Sequence, residues 1–278
     1  MSRRKTTEWG GESLEGLQSR WDRESVVLYG KIDSTNEAGR DLAEDGAPSG
    51  TVVLCREQTA GRGRAGHDWH SPKDAGVYLS MILRPADLSH PSMVSILGGL
   101  GVVERLDGRF RGLGPGLKWP NDLIAAGLKL GGVLAEASWS ASRPRYLVVG
   151  VGINVRPLGD AAPADVTQRA TSIDSVLGET VSLIDVADCA IAGLEAWLPA
   201  APASLEGDLL TRVDRYDWLR DRRARLTLPG EEHGHPGTCV GIAPDGALLF
   251  RPDRGALRRV NDGVVDPWSD QQSRPRGG

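Results

Sequence analysis

The sequence predicts an α+β (mixed α/β) protein in which a larger mixed domain precedes a small all-β domain. Apolar runs typical of strands alternate with helical patterns as far as residue 217. After Arg222, short β-like runs alternate with Pro-Gly and Asp-Gly turns. The 278 residues are 40% hydrophobic and 25% charged, which is the composition of a globular chain long enough to bury a core.

The first part of the chain predicts strands around one short helix. Residues 1–11 are polar and are expected to be loose, and residues 12–21 have helical spacing. Strands are predicted at 25–30, 51–55 and 77–83. Four N-cap-type residues, Asp33 to Asn36, precede a short helix predicted over 37–44. Residues 58–76 have no apolar period and contain four glycines, which predicts a functional loop.

In the second part of the chain, helices and strands continue to alternate as far as residue 217, and only strands are predicted after that. We predict a helix at 91–109, two strands and a turn within 118–136, a strand at 146–155, helices at 184–198 and 205–217, and β-runs at 225–228, 238–242, 247–251 and 257–260. The β-runs predict a small barrel. The chain therefore divides into an N-terminal arm with a short helix (1–24), a catalytic domain (25–218), a β-barrel (219–268) and a disordered tail (269–278).

Charge and cysteine content exclude several classes of protein. The chain carries 33 basic and 37 acidic residues, a net charge of −4, which argues against a nucleic-acid partner. It contains no apolar run of the roughly 18 residues that a membrane span requires, and its start has no signal-like apolar segment. The three cysteines, at 55, 189 and 239, are odd in number and widely spaced. This pattern fits a reducing compartment and predicts a cytoplasmic protein.

The predicted functional loop at 58–76 contains an arrangement of glycines and arginines that indicates anion binding. Gly61, Gly63 and Gly66 match the dinucleotide pattern G-x-G-x-x-G, but the next residues, 67–72, do not begin the helix that this pattern requires. Arg62 and Arg64 alternate with the glycines instead. Glycine lets the backbone bend and approach a ligand, and guanidinium groups bind carboxylate or phosphate. A solvated basic turn is the alternative if the loop is considered alone.

Further polar residues stand at the ends of apolar strands beside glycines. They are Lys118, Asn121, Asp122, Lys129 and Asn154. A lysine on a strand is costly to bury unless it meets an anion. Asp122 and Asn154 offer hard oxygen ligands of the kind that magnesium prefers. Together these residues predict a pocket for an acidic ligand and a metal-bound phosphate.

Seven motifs in this order and spacing resemble those of the biotin protein ligase family. They are DSTN (33–36), QTAGRGRAG (58–66), Trp69, YLSM (78–81), KWPND (118–122), KLGG (129–132) and GIN (152–154). The resemblance covers about residues 25–268. It implies a catalytic domain of the biotin/lipoate ligase type, similar to class II aminoacyl-tRNA synthetases, and an SH3-like C-terminal barrel.

The resemblance also implies a role for each matching residue. Biotin would contact Ser34, Thr35, Asn36, Gln58, Gly61, Arg62, Gly63, Arg64, Trp69 and Lys129. ATP would contact Arg64, Lys118, Asn121 and Asn154. Lys129, Arg64 and Asp122 would be catalytic, and Asp122 with Asn154 would hold Mg²⁺. Of these, Ser34, Thr35 and Gln58 would bind the ureido head of biotin, with Asn36 beside them.

The implied activity is ATP-dependent protein biotinylation, a post-translational modification. Biotin would be adenylated and then transferred to a lysine of a biotin carboxyl carrier protein of a biotin-dependent carboxylase. Only 32 residues precede Asp33, fewer than a winged helix-turn-helix needs, so the resemblance is to the monofunctional class, without DNA binding. Family members are monomers or dimers, so a homodimer stays open.

Two alternatives remain at this point. A lipoate or octanoate ligase or transferase would share the fold and the attack by a carrier lysine. A regulator that binds biotin without turnover would share the pocket, although the presence of Lys129 argues against it.

Overall fold

The computed structural model describes residues 4–84, 91–140, 143–159, 162–197 and 202–267. The predicted disordered tail at 269–278 and Trp268 at the end of the predicted barrel lie outside these residues. Within them, an eight-stranded sheet with helices on both faces is followed by a five-stranded sheet. This arrangement confirms the predicted mixed α/β class.

The strands of the first part form one large mixed sheet and one small hairpin. They are β1 (Arg4–Lys5), β2 (Glu8–Trp9), β3 (Glu12–Ser13), β4 (Val26–Lys31), β5 (Val52–Cys55), β6 (Gly76–Leu83), β7 (Gly116–Lys118), β8 (Asp122–Ala125), β9 (Leu128–Ser140) and β10 (Arg143–Asn154). The large sheet has the order β1-β4-β5-β6-β10-β9-β8-β7, and β2 pairs with β3. Only β4 and β5 are parallel among these paired strands.

Seven helices are described. They are α1 (Leu14–Arg20), α2 (Thr35–Glu44), α3 (Pro91–Arg109), α4 (Ala164–Thr167), α5 (Ile173–Leu177), α6 (Leu183–Trp197) and α7 (Gly207–Tyr216). Side chains alternate along β6, so Leu79 and Met81 enter the main core while Tyr78 and Ile82 join smaller clusters on the opposite face. Helices α3 and α6 cover the first face, and α2 lies on the second. The second face carries the candidate site.

Helices α3 and α6 approach each other closely because small residues meet where they cross. A Cβ atom on Gly101 would overlap the carbonyl of Gly193, and one on Gly193 would overlap Gly101. Leu97, Leu100 and Val103 of α3 are fully buried around this crossing. The helix pair therefore forms a rigid support for the sheet.

The N-terminal arm is more ordered than its sequence predicts. Arg4 and Lys5 pair with β4, and residues 8–13 form the β2–β3 hairpin. Trp9 is buried, and its indole Nε1 donates a hydrogen bond to Cys55 O at 3.0 Å. The prediction of a loose segment was therefore wrong for the described residues. Strands of two residues are too short to show a periodicity in the sequence. The segment is ordered because Trp9 buries a large apolar area.

Two boundaries also differ from the sequence prediction. The segment 118–136 belongs to three strands, because the residues between β7 and β8 form a hairpin turn of their own. Helix α2 begins at Thr35 rather than residue 37. The N-cap Ser34 makes no side-chain cap, and Gln58 Oε1 accepts a hydrogen bond from Thr35 N at 2.8 Å instead. A residue distant in sequence thus satisfies a free N–H of the first turn.

The C-terminal strands form an antiparallel sheet. They are β11 (Arg223–Thr227), β12 (His235–Ile242), β13 (Leu248–Pro252), β14 (Arg258–Val260) and β15 (Val264–Pro267), in the order β14-β13-β12-β11-β15. A small C-terminal β-sheet is therefore confirmed, with one more strand than predicted. Closure of this sheet into an SH3-like barrel stays a prediction.

The two predicted domains share one core. Leu226 and Phe250 of the small sheet belong to the same buried cluster as Leu117 of the large sheet. The indole Nε1 of Trp119 donates a hydrogen bond to Gly246 O at 2.9 Å, and Leu205 N donates one to Pro244 O at 2.6 Å. The predicted boundary near residue 218 thus does not separate two independent cores. Among the described helices, none has the length and apolarity needed to cross a membrane.

Candidate active site

The second face of the large sheet has a glycine floor at its centre. Residues paired across neighbouring strands share a face, and one such row crosses the whole sheet. Its members are Lys5, Tyr29, Cys55, Tyr78, Gly152, Gly132, Asp122 and Lys118. Gly152 and Gly132 therefore form a floor without side chains, between aromatic residues on one side and charged residues on the other.

Neighbouring side chains occupy the space above these glycines. A Cβ atom on Gly152 would lie 2.5 Å from Trp69 Nε1, and one on Gly150 would overlap Asn36 Oδ1. The glycines are needed for this close approach. The Trp69 indole consequently packs directly against Gly152, and its Nε1 is buried with no hydrogen-bond partner among the described residues.

Neutral polar side chains form a connected network at one end of this face. Gln58 Oε1 accepts hydrogen bonds from Thr35 N at 2.8 Å and Thr35 Oγ1 at 3.2 Å, and Gln58 Nε2 donates to Ser71 Oγ at 2.8 Å. Ser80 Oγ lies 2.8 Å from Thr35 Oγ1 and 2.6 Å from Asn36 Oδ1. Thr35, Asn36, Ser71 and Ser80 are buried, as is Ser34. Of the three residues predicted for the biotin head, Thr35 and Gln58 thus belong to one hydrogen-bonded unit with Asn36, and Ser34 is buried beside them.

A chain of charged groups extends the network to the loop. Asn36 Nδ2 donates to Glu136 Oε2 at 2.7 Å, and Arg40 Nη2 donates to Glu136 Oε1 at 3.1 Å. Arg40 also pairs with Glu37, and Glu37 pairs with Arg62 of the glycine-rich loop. The two carboxylates therefore connect helix α2 to β9 and to the loop.

The sequence analysis did not assign roles to Ser80, Ser71, Glu37 or Glu136. Ser80 did carry a signal, because it is a small polar residue within the otherwise apolar and aromatic sequence of the fully buried β6, GVYLSMIL. A buried hydroxyl requires a hydrogen-bond partner. Ser71, Glu37 and Glu136 gave no comparable signal, since serine in a loop and glutamate on a helix or strand are ordinary.

The glycine-rich loop is folded back on itself across the site. Backbone β-bridges join Gln58 to Ser71 and Arg62 to Asp68. Gly63 N also donates a hydrogen bond to His67 O at 2.7 Å. At the tip, Ala65 and Gly66 have φ values of +56° and +78°. A Cβ atom on Gly61 would overlap the Trp69 carbonyl, so glycine at 61 lets the two arms approach closely.

The two loop arginines are engaged with carboxylates. Arg62 pairs with Glu37, and Arg64 pairs with Asp262 and donates a second hydrogen bond from Nη1 to Gly263 O at 3.2 Å. The resemblance predicts Arg64 beside biotin and the nucleotide. The structure instead holds its guanidinium on the C-terminal sheet, because Asp262 lies within reach of the loop tip.

The other end of the face is cationic. Lys129 Nζ lies 2.6 Å from Asp122 Oδ1, and Lys118 Nζ lies 3.9 Å from Asp122 Oδ2. Lys129 Nζ is also 5.5 Å from the centroid of the Trp69 ring, a cation–π distance. Asn121 Nδ2 donates to Val133 O at 3.1 Å. Two lysines thus share one carboxylate, which leaves a net positive charge next to the tryptophan.

Asn154 lies at the end of β10 and is buried there. Its Nδ2 donates a hydrogen bond to Thr171 O at 3.0 Å, and Thr171 N donates to Lys129 O at 2.9 Å. Asn154 therefore supports the segment that runs beside Lys129. This segment, with the short helices α4 and α5, was not predicted as regular structure.

The predicted magnesium ligands Asp122 and Asn154 do not form a complete metal site by themselves. Within the described ranges, no group of three or more His, Cys, Asp or Glu side chains is placed to hold a metal. The Asp122 carboxylate is shared between two ammonium groups, and Asn154 Nδ2 donates a hydrogen bond to Thr171 O. We therefore derive no step through a metal held by Asp122 and Asn154.

The three cysteines are buried and unpaired. Burial raises the pKa of Cys55, which lies in the row across the sheet, well above its usual value. Burial also raises the pKa of Cys189 to about 11 and that of Cys239 to about 12. These thiols are therefore protonated at neutral pH, and none is suited to act as a thiolate nucleophile.

Comparison with known proteins gives consistent matches. Residues 29–154 match the sequence profile of the biotin/lipoate A/B protein ligase family. The biotin–[acetyl-CoA-carboxylase] ligase of Paracoccus denitrificans is 33% identical over 244 residues, covering 82% of this chain and 95% of that protein. The bifunctional ligase/repressor BirA of Bacillus spizizenii is 34% identical over 167 residues, and the match covers 60% of this chain. The chain spans about half, 51%, of that relative's length.

A solved structure supports the same relationship. The biotin protein ligase from Aquifex aeolicus, in complex with biotin and ATP, superposes with a TM-score of 0.71 at 25% identity, covering 88% of this chain and 99% of that one. The profile match includes the glycine floor, the polar network and the two lysines. The chain therefore belongs to the biotin protein ligases of the biotin/lipoate A/B protein ligase family.

Proposed function

We propose that the protein is an ATP-dependent biotin protein ligase. It adenylates biotin to biotinoyl-5′-AMP with release of pyrophosphate, and it then transfers biotin to a lysine of a biotin carboxyl carrier protein. We infer that it acts in the cytoplasm, which the three unpaired cysteines favour. Magnesium would accompany ATP and be held by the phosphates, since the site does not offer a cage of carboxylates.

The single observation that carries this proposal is the order of chemistry across the sheet face. Neutral donors and acceptors lie at one end, around Gln58, Thr35 and Asn36. The Trp69 ring covers the glycine floor in the middle, and Lys118 and Lys129 lie at the other end. Biotin has the same order, with a polar ureido head, an apolar chain and a carboxylate.

The first step joins two anions. A biotin carboxylate oxygen attacks the α-phosphorus of ATP, the bond from that phosphorus to the bridging oxygen breaks, and pyrophosphate leaves. Lys129 and Lys118 would neutralise the reacting carboxylate and phosphate, which otherwise repel each other. Asp122, 2.6 Å from Lys129 Nζ, would fix the position of that ammonium group.

The second step forms the amide bond. The neutral amine of a carrier lysine attacks the acyl carbon of the adenylate, the bond from that carbon to the phosphate oxygen breaks, and AMP leaves as the amine loses one proton. The mixed anhydride is prone to hydrolysis, so the folded glycine-rich loop and Trp69 would exclude water. Asp122 remains a candidate to orient the incoming amine.

The structure makes the alternatives less suitable. The dithiolane of lipoate and the methyl end of octanoate have no hydrogen-bonding head, so they would leave the network around Gln58 and Asn36 without a polar ligand. Transfer of octanoate through a cysteine would need a thiolate, and the cysteines are buried with raised pKa values. A binder without turnover would not need two lysines beside one carboxylate.

Exchange of pyrophosphate into ATP tests the adenylation step. The purified protein is assayed with Mg²⁺ and with biotin, lipoate or octanoate as the acid. We expect exchange with biotin alone. Exchange with lipoate or octanoate would assign the protein to the sister branch, and no exchange with any acid would contradict a ligase function. Labelling of a biotin carboxyl carrier domain then tests the transfer step.

A further inference from the structure

The tip of the glycine-rich loop contacts the C-terminal sheet. Arg64 forms an ion pair with Asp262, and Arg64 Nη1 donates a hydrogen bond to Gly263 O at 3.2 Å. Asp262 and Gly263 form the turn between β14 and β15. The two partners are separated by 198 residues in sequence, so this contact joins the loop of the first part to the last strands of the chain.

The turn is shaped to present these two acceptors. A Cβ atom on Gly263 would lie 2.9 Å from Thr227 O, so glycine allows the turn to pack against the end of β11. The Arg64 side chain is 32% exposed and that of Asp262 is 64% exposed. The Asp262 carboxylate is therefore reachable from the loop without being buried in the sheet.

The loop is held by ion pairs on both of its arginines. Arg62 pairs with Glu37 on α2, and Arg64 pairs with Asp262 on the opposite side. Only Gly63 lies between the two arginines, so both contacts hold the same short part of the loop. A guanidinium has five N–H donors, and the contact with the turn uses two of them, so Arg64 keeps donors for an anionic ligand.

We propose that Asp262 is a positioning residue, which holds the loop tip over the site through Arg64 and so determines how well the site retains the adenylate. Its role in retention rests on the proposed function. The contact between the loop and the turn does not, and the two are tested separately. Asp262 does not contact the reacting atoms in this assignment.

Limited trypsin digestion tests the contact without any activity. Arg62 and Arg64 are themselves trypsin sites in the loop. In Asp262→Asn, we expect cleavage after these arginines to be about fivefold faster, the factor that the strongest exposed ion pairs supply. Asp253→Asn is the matched control, because it removes an exposed ion pair with Arg223 in the same domain, away from the loop.

Asp262→Glu keeps the carboxylate and should restore slow cleavage. Arg64→Ala removes both the ion pair with Asp262 and the hydrogen bond to Gly263 O, so it should be cleaved after Arg62 at least as fast as Asp262→Asn. Adding Asp262→Asn to Arg64→Ala should give no further increase, because Asp262 then has no arginine at position 64 to lose. Loop cleavage in Asp262→Asn at the rate of the wild type or of Asp253→Asn would overturn the proposal.

Retention of the adenylate gives the second readout. We expect Asp262→Asn to release biotinoyl-AMP about fivefold faster from a preloaded enzyme, with pyrophosphate exchange close to that of the wild type. Faster cleavage without faster release would contradict the role in retention and leave only a structural contact. If the wild type forms no adenylate, the proposed function fails, while the digestion still tests the contact.

Discussion

Lys129 is the residue on which the proposed chemistry depends most. Its ammonium group lies beside Asp122 and over the Trp69 ring, at the end of the site where carboxylate and phosphate would meet. Removing one preorganised charge of this kind costs about 10²–10³ in rate. We expect Lys129→Ala to lower pyrophosphate exchange about a hundredfold or more while keeping the melting temperature within a few degrees.

The control for this variant is Lys5→Ala. Lys5 lies in β1, at the opposite edge of the same sheet, and is exposed. Exchange at the wild-type rate in Lys129→Ala would refute the catalytic role of this lysine. A loss of exchange in Lys5→Ala would show that the assay reports general damage.

Gly152 is required by packing, and the site should therefore not tolerate even a methyl group there. In Gly152→Ala the new Cβ would lie 2.5 Å from Trp69 Nε1, so the indole must move off the floor. We expect weaker biotin binding by calorimetric titration and a loss of about 1–3 kcal/mol in the free energy of unfolding.

Gly108→Ala is the matched control for that substitution. Gly108 lies in helix α3, and no atom is within 4 Å of the position its Cβ would take. It should bind biotin as the wild type does and be as stable or slightly more stable. If Gly152→Ala also binds biotin normally, Trp69 is not held against the floor as described.

At the scale of elements, Asp217 lies directly after α7, at the start of the connection to β11. Its side chain is buried, Oδ1 accepts a hydrogen bond from Leu219 N at 3.0 Å, and Oδ2 has no partner among the described residues. Burial raises the pKa of Asp217 from 3.8 to about 6, against smaller lowering effects from the Leu219 hydrogen bond and from Arg220. The neighbouring Asp214 adds to the increase.

This raised pKa predicts a pH-dependent stability. Because the folded-state pKa lies above the ordinary value, the stabilising contribution of the protonated carboxyl is fully present below about pH 3.8 and is lost as the pH rises through about 6. Asp217→Asn should remove this loss and raise the free energy of unfolding at pH 8 by on the order of 3 kcal/mol relative to the wild type.

Urea unfolding at pH 5 and pH 8 measures the effect. The difference between the two pH values should shrink in Asp217→Asn and stay unchanged in Asp266→Asn, which replaces an exposed aspartate of β15. An Asp217→Asn protein with the wild-type pH dependence would mean that the carboxyl is solvated in solution.

At the scale of the whole molecule, the continuous core predicts cooperative unfolding. Residues of the large sheet, of α3 and α6 and of the small sheet belong to one buried cluster. Trp119, in the turn that carries Asn121, is hydrogen-bonded to Gly246 of the small sheet. We expect one calorimetric transition for the intact chain, with equal calorimetric and van't Hoff enthalpies.

Trp119→Phe should lower the melting temperature and keep a single transition, because it leaves the Gly246 carbonyl without its donor at a cost of about 1–3 kcal/mol. Two separate transitions in the wild type would contradict a shared core and restore the predicted division near residue 218.

Local patterns in the sequence were sufficient for several features of this protein. Apolar periodicity located the long helices α3 and α6 and the longer strands β4, β6 and β10 of the sheet, since burial repeats with the period of each element. The motifs DSTN, KWPND and KLGG selected residues that lie together on one face. Glycine and arginine in residues 58–66 indicated the loop that crosses it.

The tertiary structure alone decided what these residues contact. Gln58 accepts the first-turn N–H of α2, Glu136 binds Asn36 and Arg40, and Arg64 reaches Asp262. Such partners are distant in sequence and are exposed or ordinary residue types, so no local pattern marks them. Periodicity and motifs record which face a residue occupies, whereas hydrogen bonds and ion pairs depend on distances that only the packed chain sets.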